Sequence, residues 1–282
     1  MSWHPPFNFQ RDLERTSWRS FSSFLVVLLL PACVLLTSRG FAADPASKLL
    51  SEPGLYDYAG DLGEKTVIGL TLHRRDGEKV TGSYFYKKYL KDIPLNGEFT
   101  AERDLVLRED DAKGQLAGAF TLHFADKDPR HKRGDDQPLT IDVLTGTWAS
   151  ADKSKTLPVY LSLTQIVAGG SGNRRYQVAG AANDAVVEEG AQKFCAAVEK
   201  GNRKAVAENL SYPVAFSVGG KRSKAANAEE FISHYDEIFT PKFVARIKDA
   251  VPHHLFANAQ GIMLADGAVW LNPQGKVFAI NN

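Results

Sequence analysis

The chain has 282 residues, 44% hydrophobic and 24% charged, a balance that suits a globular protein and excludes a disordered or low-complexity one. Its formal net charge of +1 leaves no surplus of Lys and Arg for a nucleic-acid footprint, so no nucleic-acid partner is expected. With only two cysteines, Cys33 in a segment read below as removable and Cys195, no internal disulfide framework can form.

Residues 1–43 have the pattern of an export signal. Arg11, Arg15 and Arg19 precede the apolar run Phe24–Leu36, and Gly40-Phe41-Ala42 places small residues at the −3 and −1 positions of a cleavage site. Cleavage is expected after Ala42 or Ala43, which places the mature chain, close to neutral in charge, in the periplasm or outside the cell. An uncleaved anchor is the alternative, although Pro31 interrupts the run and it falls short of the ~20 apolar residues that span a bilayer. Leu30-Pro31-Ala32-Cys33 resembles a lipobox, so lipidation at Cys33 is a third outcome. Membrane contact is expected only through this segment or that lipid.

From residue 44 to about 180 the pattern is strand after strand, which predicts an all-β antiparallel barrel or sandwich. Thr66–Leu72 and Lys79–Tyr86 flank Asp76-Gly77 as a hairpin, and Asp92–Thr100, Asp104–Arg108, Gln115–Phe124, Leu139–Trp148 and Thr156–Gln165 follow at regular spacing. Within Gln115–Phe124 the residues Leu116, Gly118, Phe120, Leu122 and Phe124 form the apolar side at period two. Glycines at 69, 82, 97, 118 and 146 suggest bulges or bends. Thr145-Gly146-Thr147-Trp148 and Gly82-Ser83-Tyr84 resemble the glycine-and-aromatic style of small lipocalin-like or avidin-like barrels. The charged loop between Phe124 and Leu139 carries His131-Lys132-Arg133 among aspartates and reads as solvated, and Arg174–Val178 is a candidate closing strand.

Residues 181–282 change character. Asp184 opens a helix to Lys200 with Val187, Ala191, Phe194, Cys195 and Val198 on one face, where Cys195 reads as a buried structural thiol. A short helix from Asn202 ends at Tyr212-Pro213, and Val214–Val218 reads as a strand. Asn227 and Glu230 have capping-box spacing, and Thr240-Pro241 starts a further helix. Ile262–Leu264, Ala268–Leu271 and Val277–Ile280 then form a meander, with Asp266-Gly267 suited to a type I′ turn.

This order, with the stretches Ala191–Val198, Leu210–Val214, Glu230–Asp236, Gly261–Leu264 and Val269-Trp270, resembles the NTF2-like (cystatin-like α+β) superfamily. The resemblance implies helices closing over a curved sheet. It leaves function open, because that superfamily holds small-molecule enzymes, carriers and protein-binding modules.

No nucleophile elbow, zinc-protease helix, phosphate loop or dinucleotide fingerprint occurs. His234 and Asp236 are two apart on a helix and cannot form a dyad. His253-His254, read as neighbouring strand residues, face opposite sides and make a weak metal site. No catalytic residue, metal or cofactor is therefore expected. The function expected is an exported, non-catalytic binding protein of the periplasm or cell envelope, with a small apolar or sugar-like ligand or an envelope protein as partner. An NTF2-like hydrolase, isomerase or dehydratase, and an inhibitor of an envelope protein acting through the loop Asp126–Gln137, are the alternatives. Tyr212, Tyr235 and Trp270 are the expected ligand-binding residues, converging between sheet and helices.

Overall fold

A computed structural model describes residues 49–50, 53–74, 77–126, 128–130, 141–169 and 174–282. The export signal, its cleavage at Ala42 or Ala43, Cys33, and the loop residues Lys132 and Arg133 lie outside these residues. The stretch Ala42–Asn282 forms one compact unit. Among the described residues, no helix is long and apolar enough to cross a membrane.

Eight antiparallel strands form a closed barrel: β1 (Gly54–Leu62), β2 (Thr66–Arg74), β3 (Lys79–Tyr86), β4 (Ile93–Ala101), β5 (Asp104–Asp110), β6 (Leu116–Phe124), β7 (Val143–Ser150) and β8 (Thr156–Ala168). The choice between barrel and sandwich is resolved by β1, a strand the sequence reading did not pick out, which pairs with β8 from Gly54↔Ala168 to Leu62↔Val159. Closure removes the sheet edges that would otherwise seek a partner.

Period-two alternation fills the interior. Phe120, Leu122 and Phe124 on β6 are buried while Thr121 and His123 between them are exposed. Tyr84 meets Phe120 edge-on at 5.1 Å, and Phe99 stacks on Phe124 at 6.0 Å. Side chains thus occupy the lumen, as eight strands allow. Glu109 accepts hydrogen bonds from the Tyr84 hydroxyl at 2.9 Å and from Trp148 Nε1 at 3.2 Å.

Of the strand glycines, Gly118 adjoins a register shift, pairing with Glu109 where the shift begins, while Gly69, Gly82 and Gly146 do not. Register shifts occur at Asp57/Tyr58, Phe99/Ala101 and Glu109/Asp110. At Gly82 and Gly97 a Cβ would lie 2.1 Å from the Thr71 carbonyl oxygen and 1.9 Å from that of Val106, so these glycines permit close strand approach.

The C-terminal part is a mixed six-stranded sheet with few helices. Its elements are α1 (Asp184–Glu199), α2 (Arg203–Glu208), β9 (Leu210–Val218), β10 (Lys221–Ala225), α3 (Ala228–Ser233), α4 (Tyr235–Ile238), α5 (Pro241–Asp249), β11 (Phe256–Asn258), β12 (Gly261–Leu264), β13 (Val269–Leu271) and β14 (Val277–Asn281). The strand order is β10-β9-β14-β13-β12-β11, with β14 parallel to β9. Phe194, Phe231, Ile238 and Ile247 from the helices share one core with Val214, Ile262, Leu271 and Ile280 from the sheet.

Several local expectations hold. Asn227 Oδ1 accepts from the Glu230 amide at 3.0 Å, and Glu230 reaches back to the Ala226 amide at 2.7 Å. Thr240 caps α5 with Pro241 in its first turn. The Ala268 amide bonds the Ala265 carbonyl at 3.0 Å across Asp266 and Gly267, both at positive φ, which is the type I′ pattern.

Others do not. Arg175–Ala179 is a 3-10 turn rather than a closing strand, because β1 already pairs with β8. Tyr212-Pro213 does not end a helix but lies inside β9. The short strands β10 and β11 carry no apolar alternation strong enough to read.

Cys195 is buried in α1, and burial, with Glu199 adding to it, pushes its thiol up to about 12. In a chain lacking residues 1–43, and so Cys33, we expect the folded form at pH 8 to resist Ellman's reagent and the unfolded form to titrate normally; fast labelling of the native form contradicts this placement.

Candidate functional site

The barrel's outer wall is not uniform. On β5 and β6 the outward side chains Arg108, Thr121 and His123 are exposed, yet on β1, β2 and β3 the outward Asp57, Thr71 and Phe85 are buried. The C-terminal part covers this wall, and a polar network lies between them.

At its centre Asp57 and Arg175 form a buried ion pair. Arg175 Nη1 donates to Asp57 Oδ2 at 2.5 Å and Nη2 to Oδ1 at 2.9 Å. Thr71 Oγ1 donates to Asp57 Oδ1 at 2.6 Å, and Gln165 Nε2 donates to Oδ2 at 2.6 Å and to the His254 carbonyl at 2.8 Å. Burial alone would raise the Asp57 carboxyl, but the Arg175 charge and these hydrogen bonds outweigh it and hold it below the usual carboxylate range. Asp184 fixes the 3-10 turn by accepting from the Arg175 and Tyr176 amides at 2.6 and 3.1 Å.

A second cluster adjoins the first. Glu188 on α1 accepts from the Tyr176 hydroxyl at 2.9 Å and the His254 amide at 3.1 Å. His253 Nδ1 lies 2.5 Å from Glu188 Oε2, and its Nε2 lies 3.2 Å from Asp92 Oδ1. Carboxylates only accept, so His253 holds both contacts as an imidazolium. Burial opposes that charge, but Asp92 and Glu188 prevail and raise His253 to about 9. The same contacts, against the effect of burial, hold Asp92 and Glu188 below the usual range.

His254 Nε2 lies 3.1 Å from Asp92 Oδ2, and its Nδ1 lies 2.9 Å from Thr71 Oγ1. The two imidazoles stack 4.2 Å apart at 21°, with the Phe85 ring edge-on to both. The expectation that they face opposite sides is corrected. They precede β11 rather than lying in it, and His254 has φ 50°, so alternation along a strand does not apply.

Beside this network the barrel wall and the C-terminal part bound a cleft of about 940 Å³. Val67, Ile166, Phe85, Leu255 and Met263 give it apolar walls, Asp57, Thr71, Gln165 and His254 contribute polar groups, and the exposed Lys87, Lys242, Arg246, Asp249 and Asp266 line it with charge. Val67 and Ile166, 45% and 39% exposed, both line this cleft.

Of the three residues expected to converge, Tyr212 and Tyr235 pack on one core and Trp270 does not join them. Tyr235 is buried, stacked on Phe239 at 4.4 Å beneath Arg203. Tyr212 packs against the same core and donates to the Ala207 carbonyl at 3.0 Å. Trp270 alternates with buried Val269 and Leu271 and so emerges on the sheet's other face, where it lines a groove of about 500 Å³ with Phe278, Arg222 and Lys224. In the charged loop, Arg130 stacks over Tyr160 at 3.7 Å and pairs with Asp61 at 2.6 Å, tying that residue to the barrel.

Comparison with protein-family models, with curated proteins and with solved structures gives no match.

Proposed function

We propose that the chain is an exported, non-catalytic binding protein of the periplasm or cell envelope, holding a small apolar ligand in the cleft between the barrel wall and the C-terminal part. The observation that carries this reading is the cleft itself, with exposed aliphatic walls above polar groups already satisfied by one another. Apolar walls suit retention of such a ligand, and the exposed charged side chains that also line the cleft would meet solvent or a polar end of the ligand. In keeping with the resemblance noted from the sequence, helices over one face of the sheet support an NTF2-like reading of residues 181–282, and the filled eight-stranded barrel a lipocalin-like or avidin-like reading of residues 44–180.

The enzymatic alternative has one observation in its favour. Thr71 Oγ1, His254 and Asp92 lie in line at 2.9 and 3.1 Å, the order of nucleophile, base and orienting acid. Thr71, however, spends its proton on Asp57 at 2.6 Å and accepts from Arg175 Nη2 at 3.1 Å. A nucleophile needs a free approach, and this hydroxyl has none.

The neutral fluorophore N-phenyl-1-naphthylamine is the probe. The folded chain is expected to enhance its emission saturably, and the double variant Val67→Lys, Ile166→Lys to weaken binding at least tenfold with its melting temperature kept within a few degrees. Equal binding by that folded variant overturns the reading.

A further inference from the structure

We infer that Asp92, His253 and His254 form a binding site for one divalent first-row transition-metal ion at the seam between barrel and C-terminal part. One donor atom from each lies within 4.8 Å of the others. Both Nε2 atoms face the same carboxylate, at 3.2 and 3.1 Å.

The far side of each ring is what distinguishes this from a chance cluster. His253 Nδ1 is held by Glu188 at 2.5 Å and His254 Nδ1 by Thr71 at 2.9 Å. Such partners fix ring orientation and direct Nε2 toward a metal, and they sit where outer-shell groups sit around histidine-bound ions. Phe85 supports both rings edge-on, and the His254 amide bonds to Glu188 at 3.1 Å. The two imidazoles are therefore held side by side, with both Nε2 atoms at Asp92, before any ion arrives.

Access is also provided. The histidine side chains are 6% and 12% exposed, but that of Asp92 is 42% exposed, so the carboxylate is the door through which an ion enters. Zinc takes nitrogen and oxygen ligands at about 2.0–2.2 Å in near-tetrahedral array, so the two Nε2 edges must turn toward one another and the stacked rings splay at their opposite edges as the ion enters. In the metal-free chain the Nε2 protons do the ion's work, bridging the rings to Asp92.

Donor chemistry selects the ion. Two imidazoles and one carboxylate suit Zn²⁺, Co²⁺, Ni²⁺ or Fe²⁺, whereas Mg²⁺ and Ca²⁺ prefer all-oxygen sites. With three protein ligands, at least one coordination position is left toward solvent.

The test uses the purified chain, without a histidine tag and stripped with chelator, titrated with Zn²⁺ alone by calorimetry and with Co²⁺ alone by visible absorption. One ion per chain is expected, with a cobalt d–d band. Asp92→Asn should weaken binding at least tenfold, and Glu188→Gln, which leaves all three ligands in place, by about 10–100-fold. The surface control His123→Ala should bind as the parent does. No saturable binding of either ion overturns the inference. So does parental affinity in Asp92→Asn or, should that variant not fold, in His254→Gln; either result leaves the cluster a hydrogen-bonded seam only.

Discussion

Arg175→Met is expected to lower the unfolding free energy by about 3–5 kcal/mol, because it leaves the Asp57 carboxylate buried without its counter-charge. Both side chains are almost fully enclosed, at 4% and 7% exposure, so water cannot replace the lost partner. Adding Asp57→Asn removes the orphaned charge while keeping one oxygen as an acceptor for Thr71 or Gln165, and part of the loss should return. Denaturant unfolding of the single and double variants measures this. A single-variant loss below about 1 kcal/mol would place the pair among solvent-screened ion pairs and contradict its burial.

The second large effect is on pH. His253 is raised from 6.5 to about 9, so its contribution is fully present below the unfolded value and is lost as pH rises through the folded one. Asp57, Asp92 and Glu188 are lowered, so theirs is present above the ordinary carboxylate range near 4 and is lost as pH falls below it. The Asp92–His253–Glu188 contacts appear in both arms and are one interaction seen from two sides, not two to be added. The metal-free chain should therefore have a stability plateau between about pH 5 and 6.5, falling on either side. His253→Gln should flatten the alkaline fall and leave the acid arm from Asp57 in place. Melting temperature against pH checks both, and an alkaline fall unchanged in His253→Gln excludes His253 as its source.

Much of the fold is legible because it is local. The β6 alternation, the Asn227–Glu230 box, the Thr240-Pro241 start and the Asp266-Gly267 turn each depend on neighbours a few residues apart. β1 was hidden because its outward side mixes buried Asp57 with exposed Ala59 while Tyr56 and Tyr58 face the lumen, so residue type there does not mark which outward positions are covered. The missed signal lies on β2 and β3. Gly69, Thr71 and Phe85 stand at outward positions where an uncovered barrel would carry Lys, Glu or Arg.

The candidate site was illegible for a different reason. Asp57 and Arg175 are 118 residues apart, and Asp92 and His254 are 162 apart, so no spacing in the chain reveals them. His253-His254 was noticed, but its geometry depends on a positive φ at His254 that no residue type announces. Trp270 was noticed too, and strand parity places it opposite the helices, a consequence available from Val269 and Leu271 being the apolar pair.

Hydrogen–deuterium exchange with and without N-phenyl-1-naphthylamine tests the cleft most directly, because among the described residues the cleft and the groove beside Trp270 have separate linings, although Met263 and Trp270 pair across β12 and β13 where the two adjoin. Added protection is expected in β2, the end of β8 around Ile166, and α5, which border the cleft of about 940 Å³. Protection confined to β10, β13 and β14 would put the ligand on the open sheet face beside Trp270 and contradict the cleft as the binding site.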